Sequence, residues 1–166
     1  LTASDGVVSE SRTVTVEVGA IGPYQLNEIL SANAGPVVDE DGDESDWIEI
    51  ANLGGVIGDL EGWYLTDDPA LLTKWQFPSL EIAGGGYGLL FASGKDRQGS
   101  NGEAHTNFRL SRDGEYLALV EPDGVTIHDE FSPGFPSQQV GVSWGRGAGE
   151  MGYFVSPTPE AANGSA

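Results

Sequence analysis

The chain has 166 residues, enough for one domain, or one domain plus a fragment of a second, and long enough to bury a core without staples. It has no cysteine, which excludes disulfides, thiol catalysis and Cys-based zinc sites. Seven basic residues against 26 acidic ones give a net charge of -19; this disfavours phosphate backbones and anionic membrane surfaces and leaves cations, basic proteins and neutral glycans open as partners.

Twenty-five glycines and nine prolines break long helices and favour turns, and no stretch nears the roughly 18 apolar residues that would span a membrane. The first residue is Leu rather than Met and no signal-peptide pattern follows, so the chain is expected to be a piece of a longer protein. Residues 13–18 alternate, with Val14, Val16 and Val18 on one face and Thr13, Thr15 and Glu17 on the other, which predicts a half-buried strand. Residues 20–23 read as a linker and residues 26–30 as a second strand. Residues 33–45 form an acidic loop without periodicity. Residues 47–51 alternate again and set Ile48 and Ile50 on one face.

Residues 52–58 are turn material, and residues 60–66 predict a strand ended by Asp67, Asp68 and Pro69. Residues 75–78 are short and extended. Three glycines at 84–86 turn the chain into a strand over 87–93, and residues 95–103 make a polar loop before a short extended piece at 108–110. The segments 115–120 and 125–131 flank the turn Glu121-Pro122-Asp123-Gly124 and predict a hairpin. Residues 140–144 give the last clear strand, Phe154 and Val155 pair at an edge, and residues 156–166 make an extended tail. No window of about eleven residues has helical periodicity, so the chain is all-β, a sandwich or a barrel.

A series of segments then carries a resemblance. It runs through Leu26-Asn27-Glu28-Ile29, Asp39-Glu40-Asp41-Gly42-Asp43, Asp46-Trp47-Ile48-Glu49-Ile50, Leu60-Glu61-Gly62-Trp63-Tyr64-Leu65-Thr66-Asp67-Asp68-Pro69 and Lys74-Trp75-Gln76-Phe77-Pro78. It continues through Ala92-Ser93-Gly94-Lys95-Asp96, His105-Thr106-Asn107-Phe108-Arg109-Leu110, Gly114-Glu115, Pro122-Asp123-Gly124 and Ser156-Pro157-Thr158-Pro159. In this order, over residues 24–163, the chain resembles the bacterial lamin tail domain family. The resemblance implies an immunoglobulin-like antiparallel β-sandwich. It also implies a non-catalytic module appended to a larger exported bacterial protein, hence a secreted or cell-surface location. Residues 1–22 lie outside it. Ala3-Ser4-Asp5-Gly6 followed by the strand at 13–18 resembles the closing hairpin of a preceding immunoglobulin- or cadherin-like repeat, and the competing reading makes this strand an edge of the sandwich itself. The expected division is thus 1–22, a sandwich over 23–160, and a flexible tail over 161–166.

Several groups of residues carry chemistry. Residues 13–73 hold thirteen acids and no Lys or Arg, so a cation would be drawn to the front half. Asp39, Asp41 and Asp43 alternate, with Glu40, Glu44 and Asp46 beside them. Calcium takes roughly six to eight oxygens, and Asp39, Asp41, Asp43 and Asp46 are its candidate ligands. The EF-hand pattern fails, because Glu44 stands at the sixth position, where glycine is needed; the alternative is a solvated acidic loop. Gly141-Val142-Ser143-Trp144-Gly145 matches a nucleophile elbow, but Arg146-Gly147-Ala148-Gly149 does not start the helix that the elbow requires. His105 and His128 could join a carboxylate on zinc. Otherwise His105 makes a backbone hydrogen bond and His128 faces outward, with Ile127 and Phe131 inward.

Trp47, Trp63, Trp75 and Trp144 sit in apolar strand patterns and fit a core; Trp75, flanked by Lys74 and Gln76, is the candidate for an exposed sugar-stacking face. The expected function is a non-catalytic interaction, adhesion or spacer module. Its partner is another protein, a surface polymer or another domain of the same chain, with no nucleic acid and no membrane insertion, and calcium orders the acidic loop. A carbohydrate-binding module using Trp75 and a hydrolase using Ser143 are the alternatives.

Overall fold

The structure is a computed structural model and describes residues 23–164. The strand expected at 13–18 lies outside the described residues. In chain order the strands are β1 Tyr24–Leu30, β2 Trp47–Asn52, β3 Gly58–Asp59, β4 Tyr64–Thr66, β5 Trp75–Gln76, β6 Glu81–Ile82, β7 Tyr87–Phe91, β8 Arg97–Gln98, β9 Ala104–His105, β10 Leu117–Val120, β11 Ile127–Phe131, β12 Ser143–Arg146 and β13 Met151–Phe154. No described residue is helical, and none of the described segments is long and apolar enough to cross a membrane as a helix.

Seven strands form one sheet in the order β13-β12-β1-β2-β7-β9-β8, four form a second in the order β11-β10-β4-β5, and β3 pairs with β6. All pairs are antiparallel except β7 with β9. The two larger sheets enclose one core. Leu26, Ile29, Ile48, Ile50 and Leu90 come from the first sheet, and Leu65, Leu117, Leu119 and Phe131 from the second. The chain is therefore all-β, with antiparallel sheets stacked as a sandwich.

Period-2 alternation explains β2. Ile48 and Ile50 face the core as expected, yet all six of its residues are buried, because β2 lies mid-sheet and its other face is also covered. Trp47 packs there with Leu30 and Phe91 under Val37. In β1 the alternation fails: Leu26 and Ile29, three apart, both enter the core. A bulge between Leu26 and Glu28 adds one residue and restores the phase. It frees the Leu26 backbone from the ladder. The Leu26 N–H donates to Asp129 Oδ2 at 2.8 Å, and the Leu26 carbonyl accepts from Arg146 Nε at 2.9 Å. Arg146 closes the set with a bond to Asp129 Oδ1 at 2.7 Å.

A second bulge corrects the expected faces of β11. The register slips opposite Leu119 and Val120, so His128 turns edge-on to Trp63 at 5.0 Å while Ile127 is 41% exposed. Phe131 points inward as expected. The hairpin turn closes through Gly124 N–H to Glu121 O at 2.9 Å.

Other boundaries shift for local reasons. The strand expected over 60–66 shortens to β4, because residues 61–62 turn: Gly62 takes φ 84°, the Trp63 N–H donates to Leu60 O at 3.0 Å, and Asp59 Oδ1 accepts the N–H groups of Glu61 and Leu80. The polar loop 95–103 contains β8, which pairs with β9. The strand expected over 140–144 begins at Ser143: the Gly141 N–H is taken by Ala32 O, and Val140 is 55% exposed. Asp68 accepts the Ala70 N–H and so sets its turn, whereas Asp67 pairs with Lys74. The expected free tail is tied down through Asn163, whose Nδ2 donates to Arg146 O at 2.9 Å.

Gly145 pairs with Glu28 across the centre of the large sheet. A Cβ there would stand 2.2 Å from the Asn27 carbonyl oxygen and 2.8 Å from Glu28 Cα, both backbone atoms that cannot swing aside. We expect Gly145→Ala to destabilise the fold by about 1–3 kcal/mol in urea denaturation. Gly152→Ala, at a residue not buried on the edge strand, serves as the comparison.

Candidate functional site

The acidic loop closes on its first aspartate. Asp39 Oδ1 accepts the N–H groups of Asp41 and Asp43, each at 3.1 Å, and Oδ2 accepts Ser45 Oγ at 2.7 Å. The Asp39 carbonyl accepts the Gly42 N–H at 2.8 Å. This short-range bonding is why an Asp-rich stretch without periodicity still adopts one conformation. One oxygen each of Asp39, Asp41 and Asp43 then converges, all within 4.8 Å of one another.

The ammonium of Lys95 sits among them, 2.7 Å from Asp39, 2.6 Å from Asp41 and 2.9 Å from Asp43. Arg97 pairs with Glu40 and Asp41. Glu40 Oε2 also accepts Ser100 N and Oγ, and the Glu40 N–H donates to Glu103 Oε2 at 2.8 Å. The loop is thus stapled to residues 95–103. Burial alone would raise the Asp39 carboxyl, but Lys95, Ser45 and the two amides outweigh it and bring it down to about 2. Burial opposes the Lys95 charge, and the three aspartates more than offset that, holding its pKa above the usual lysine range.

Asp46 departs from the expected ligand set. It lies outside the converging trio, and burial raises its carboxyl to about 6 against the amides of Asn33 and Leu110 and the charge of Arg109. The sequence reading also missed Lys95 and Arg97 as partners. A signal was present: residues 13–73 hold no Lys or Arg, and six of the seven basic residues lie over 74–146.

His105 is fully buried, stacks on Phe91 and places Nδ1 3.0 Å from Ser93 Oγ. Its partner is a side chain rather than the expected backbone group. Burial and then the nearby Arg97 charge hold its pKa below the ordinary histidine value. His128 Nδ1 lies 3.3 Å from Glu121 Oε1. The two histidines thus have separate partners. Ser143, fully buried, donates to Glu28 Oε1, and β12 continues into a turn and β13 rather than a helix. Trp75 is 5% exposed and packs edge-on to Phe77 at 4.7 Å, so it offers no open face for a sugar.

A second constellation lies on the outer face of the large sheet. The β1 bulge sets Glu28 opposite Glu49 of β2, and both are 0% exposed. Asn27 Nδ2 donates to Glu49 Oε1 at 2.6 Å, and the Glu160 N–H donates to Glu49 Oε2. The Thr158 N–H is 3.2 Å and its Oγ1 3.1 Å from Glu28 Oε2, while Thr158 Oγ1 also bonds Asn163 Oδ1 at 2.6 Å. Residues 158–163 form a strap over the two carboxyls. Alternation alone put Glu49 on an outward face; only the strap, distant in sequence, buries it.

No protein-family model matches the chain, and no curated protein matches it.

Burial pushes Glu49 up to about 7, helped by the neighbouring Glu28 charge and opposed by Asn27 and the Glu160 amide. The folded state therefore holds this proton more tightly than the unfolded chain. Its contribution to stability is complete below the ordinary glutamate value and is lost as pH rises through about 7. The full difference is on the order of 3 kcal/mol. Urea midpoints at about pH 5 and pH 8 should show the wild type losing stability across this window, and Glu49→Gln should remove most of that slope. An unchanged slope would assign it to other groups.

Proposed function

We propose that this chain is a non-catalytic interaction module of the lamin-tail type, an immunoglobulin-like sandwich within a larger secreted or cell-surface bacterial protein. The observation that carries the reading is a held apolar loop between β2 and β3. Leu53, Val56 and Ile57 are 64%, 77% and 63% exposed, and residues 50–58 contain no charge. The loop is fixed rather than slack. Asn52 Nδ2 donates to Val56 O at 3.0 Å and Ile82 O at 2.9 Å, while Asn52 Oδ1 accepts the Gly54 N–H at 2.9 Å. Large aliphatic side chains on a pre-shaped loop form a docking surface that loses little entropy on binding. Its partner is another protein, another domain of the same chain or a surface polymer.

The test immobilises the wild type and a V56S/I57S variant and exposes both to extracellular protein fractions and to insoluble polysaccharide. The expected result is retention of protein by the wild type, reduced by about tenfold or more in the variant with no change in its thermal melt. Retention on polysaccharide by the wild type, lost in V56S/I57S, would make the partner of this loop a surface polymer rather than a protein.

Calcium is a second reading, favoured by the convergence of Asp39, Asp41 and Asp43. Any ion that binds there competes with Lys95, whose ammonium lies among the same oxygens. Melting in calcium and in excess chelator compares the wild type with Lys95→Met. We expect calcium to raise the midpoint of the variant by several degrees and that of the wild type by less. No shift in either protein would leave the loop without a role for the metal.

A further inference from the structure

We propose that Asn163-Gly164 is a self-modification site protected by the closed strap, so that conversion of Asn163 to aspartate or isoaspartate marks an opened strap and keeps it open. The chain holds two Asn-Gly pairs, at 101–102 and 163–164. Glycine matters here because it has no side chain to shield its amide nitrogen. The Gly164 nitrogen attacks the Asn163 carboxamide carbon. A C–N bond forms, the carboxamide nitrogen leaves as ammonia, and a five-membered imide results. Water then opens the imide at either carbonyl. One water is consumed and one ammonia released, and the product is aspartate or isoaspartate.

The closed strap opposes the first step. Asn163 Nδ2 donates to Arg146 O at 2.9 Å and to Asn27 O at 3.4 Å, and Oδ1 accepts Thr158 Oγ1 at 2.6 Å. Both ends of the carboxamide are therefore tied, and turning its carbon onto the Gly164 nitrogen breaks these bonds. Thr158 is itself fixed on Glu28, and the Glu160 N–H on Glu49. Glu160 takes φ 62°, a left-handed conformation that a residue with a Cβ disfavours. Closure thus works against a local strain.

The product does not close as before. Aspartate offers an oxygen where Nδ2 stood, so an acceptor faces the Arg146 and Asn27 carbonyls with no hydrogen between them. Its charge also stands beside Thr158, whose Oγ1 lies 3.1 Å from Glu28 Oε2, in a chain already at net charge -19. Isoaspartate lengthens the main chain by one carbon at the same point. Asn101 is the internal reference: it is exposed, and its carboxamide is held by Glu103, two residues on.

The full 166-residue chain is incubated in mildly alkaline buffer, native and unfolded in guanidinium chloride, and conversion at each asparagine is read by peptide mass spectrometry. We expect native Asn163 to convert about tenfold or more slowly than in the unfolded chain, because reaction waits on strap opening. Glu160→Pro removes the N–H that reaches Glu49 and cannot take φ 62°, and Thr158→Val removes the hydroxyl from Asn163 and Glu28. Each should keep a cooperative melt, speed conversion at position 163 by about tenfold and leave Asn101 unchanged. Where one of the two loses its melt, the other carries the comparison. Adding Gly164→Ala, where a Cβ meets nothing within 4 Å, should slow the reaction again. In Asn163→Asp, hydrogen exchange at the Thr158 and Glu160 amides should rise by about tenfold.

Native conversion at position 163 as fast as in the unfolded chain overturns the proposal. Conversion that no folded strap variant accelerates overturns it as well. Unchanged exchange in Asn163→Asp also overturns it, because the modified strap would then close as before.

Discussion

The sandwich hangs on two bulges that face each other across its core. An antiparallel strand that alternates strictly cannot send both Leu26 and Ile29 inward, and the extra residue in β1 is what permits it. The same irregularity strips the Leu26 peptide groups of ladder partners inside a sandwich, where an unpaired N–H or C=O is costly. Asp129 and Arg146 supply those partners. Asp129 can reach because the bulge in β11 brings His128 and Asp129 toward the same side. Arg146 lies on β12, beside β1, with its guanidinium 5.6 Å from the Phe131 ring. One ion pair thus ties both sheets to the irregular point of the central strand.

That bulge also governs the outer face. By shifting the phase of β1 it sets Glu28 against Glu49, two carboxyls that would repel if both were ionised and exposed to each other. Burial keeps the pair inclined to hold protons, and the strap supplies N–H donors to whatever charge remains. The acidic loop solves the same problem in the opposite way. There the carboxyls stay ionised, because a lysine and an arginine from a distant segment stand among them. In a chain with so few cations, the positions of Lys95, Arg97 and Arg146 organise much of the polar architecture.

What could be read from the sequence follows from this. Alternation found β2, and turn chemistry at residues 84–86 and at Glu121 to Gly124 located β7 and the β10–β11 hairpin, because both signals depend on neighbours in sequence. Alternation failed at Leu26 and His128, where a bulge breaks the period, and at residues 60–66, where Gly62 turns the chain. Asp39, Asp41 and Asp43 were legible as carboxylates that converge. The ammonium that stands among them was not legible, since Lys95 lies 56 residues beyond Asp39 and no local pattern joins them. Nor did any pattern signal that Glu49 is buried or that Thr158 caps Glu28, because both depend on the strap folding back onto β1 and β2.

The strap gives the domain an unusual line of tension. The described residues begin on β1, an interior strand of the large sheet, and after β13 they return to that same strand. Thr158 holds Glu28 and Asn163 holds the backbone beside Asn27. A pull between residues 23 and 164 is therefore carried across a short stretch of central sheet, through carboxylate and amide bonds loaded together. Under such a pull the strap's bonds to Glu28, Glu49 and Arg146 are strained together with the pairing of β1.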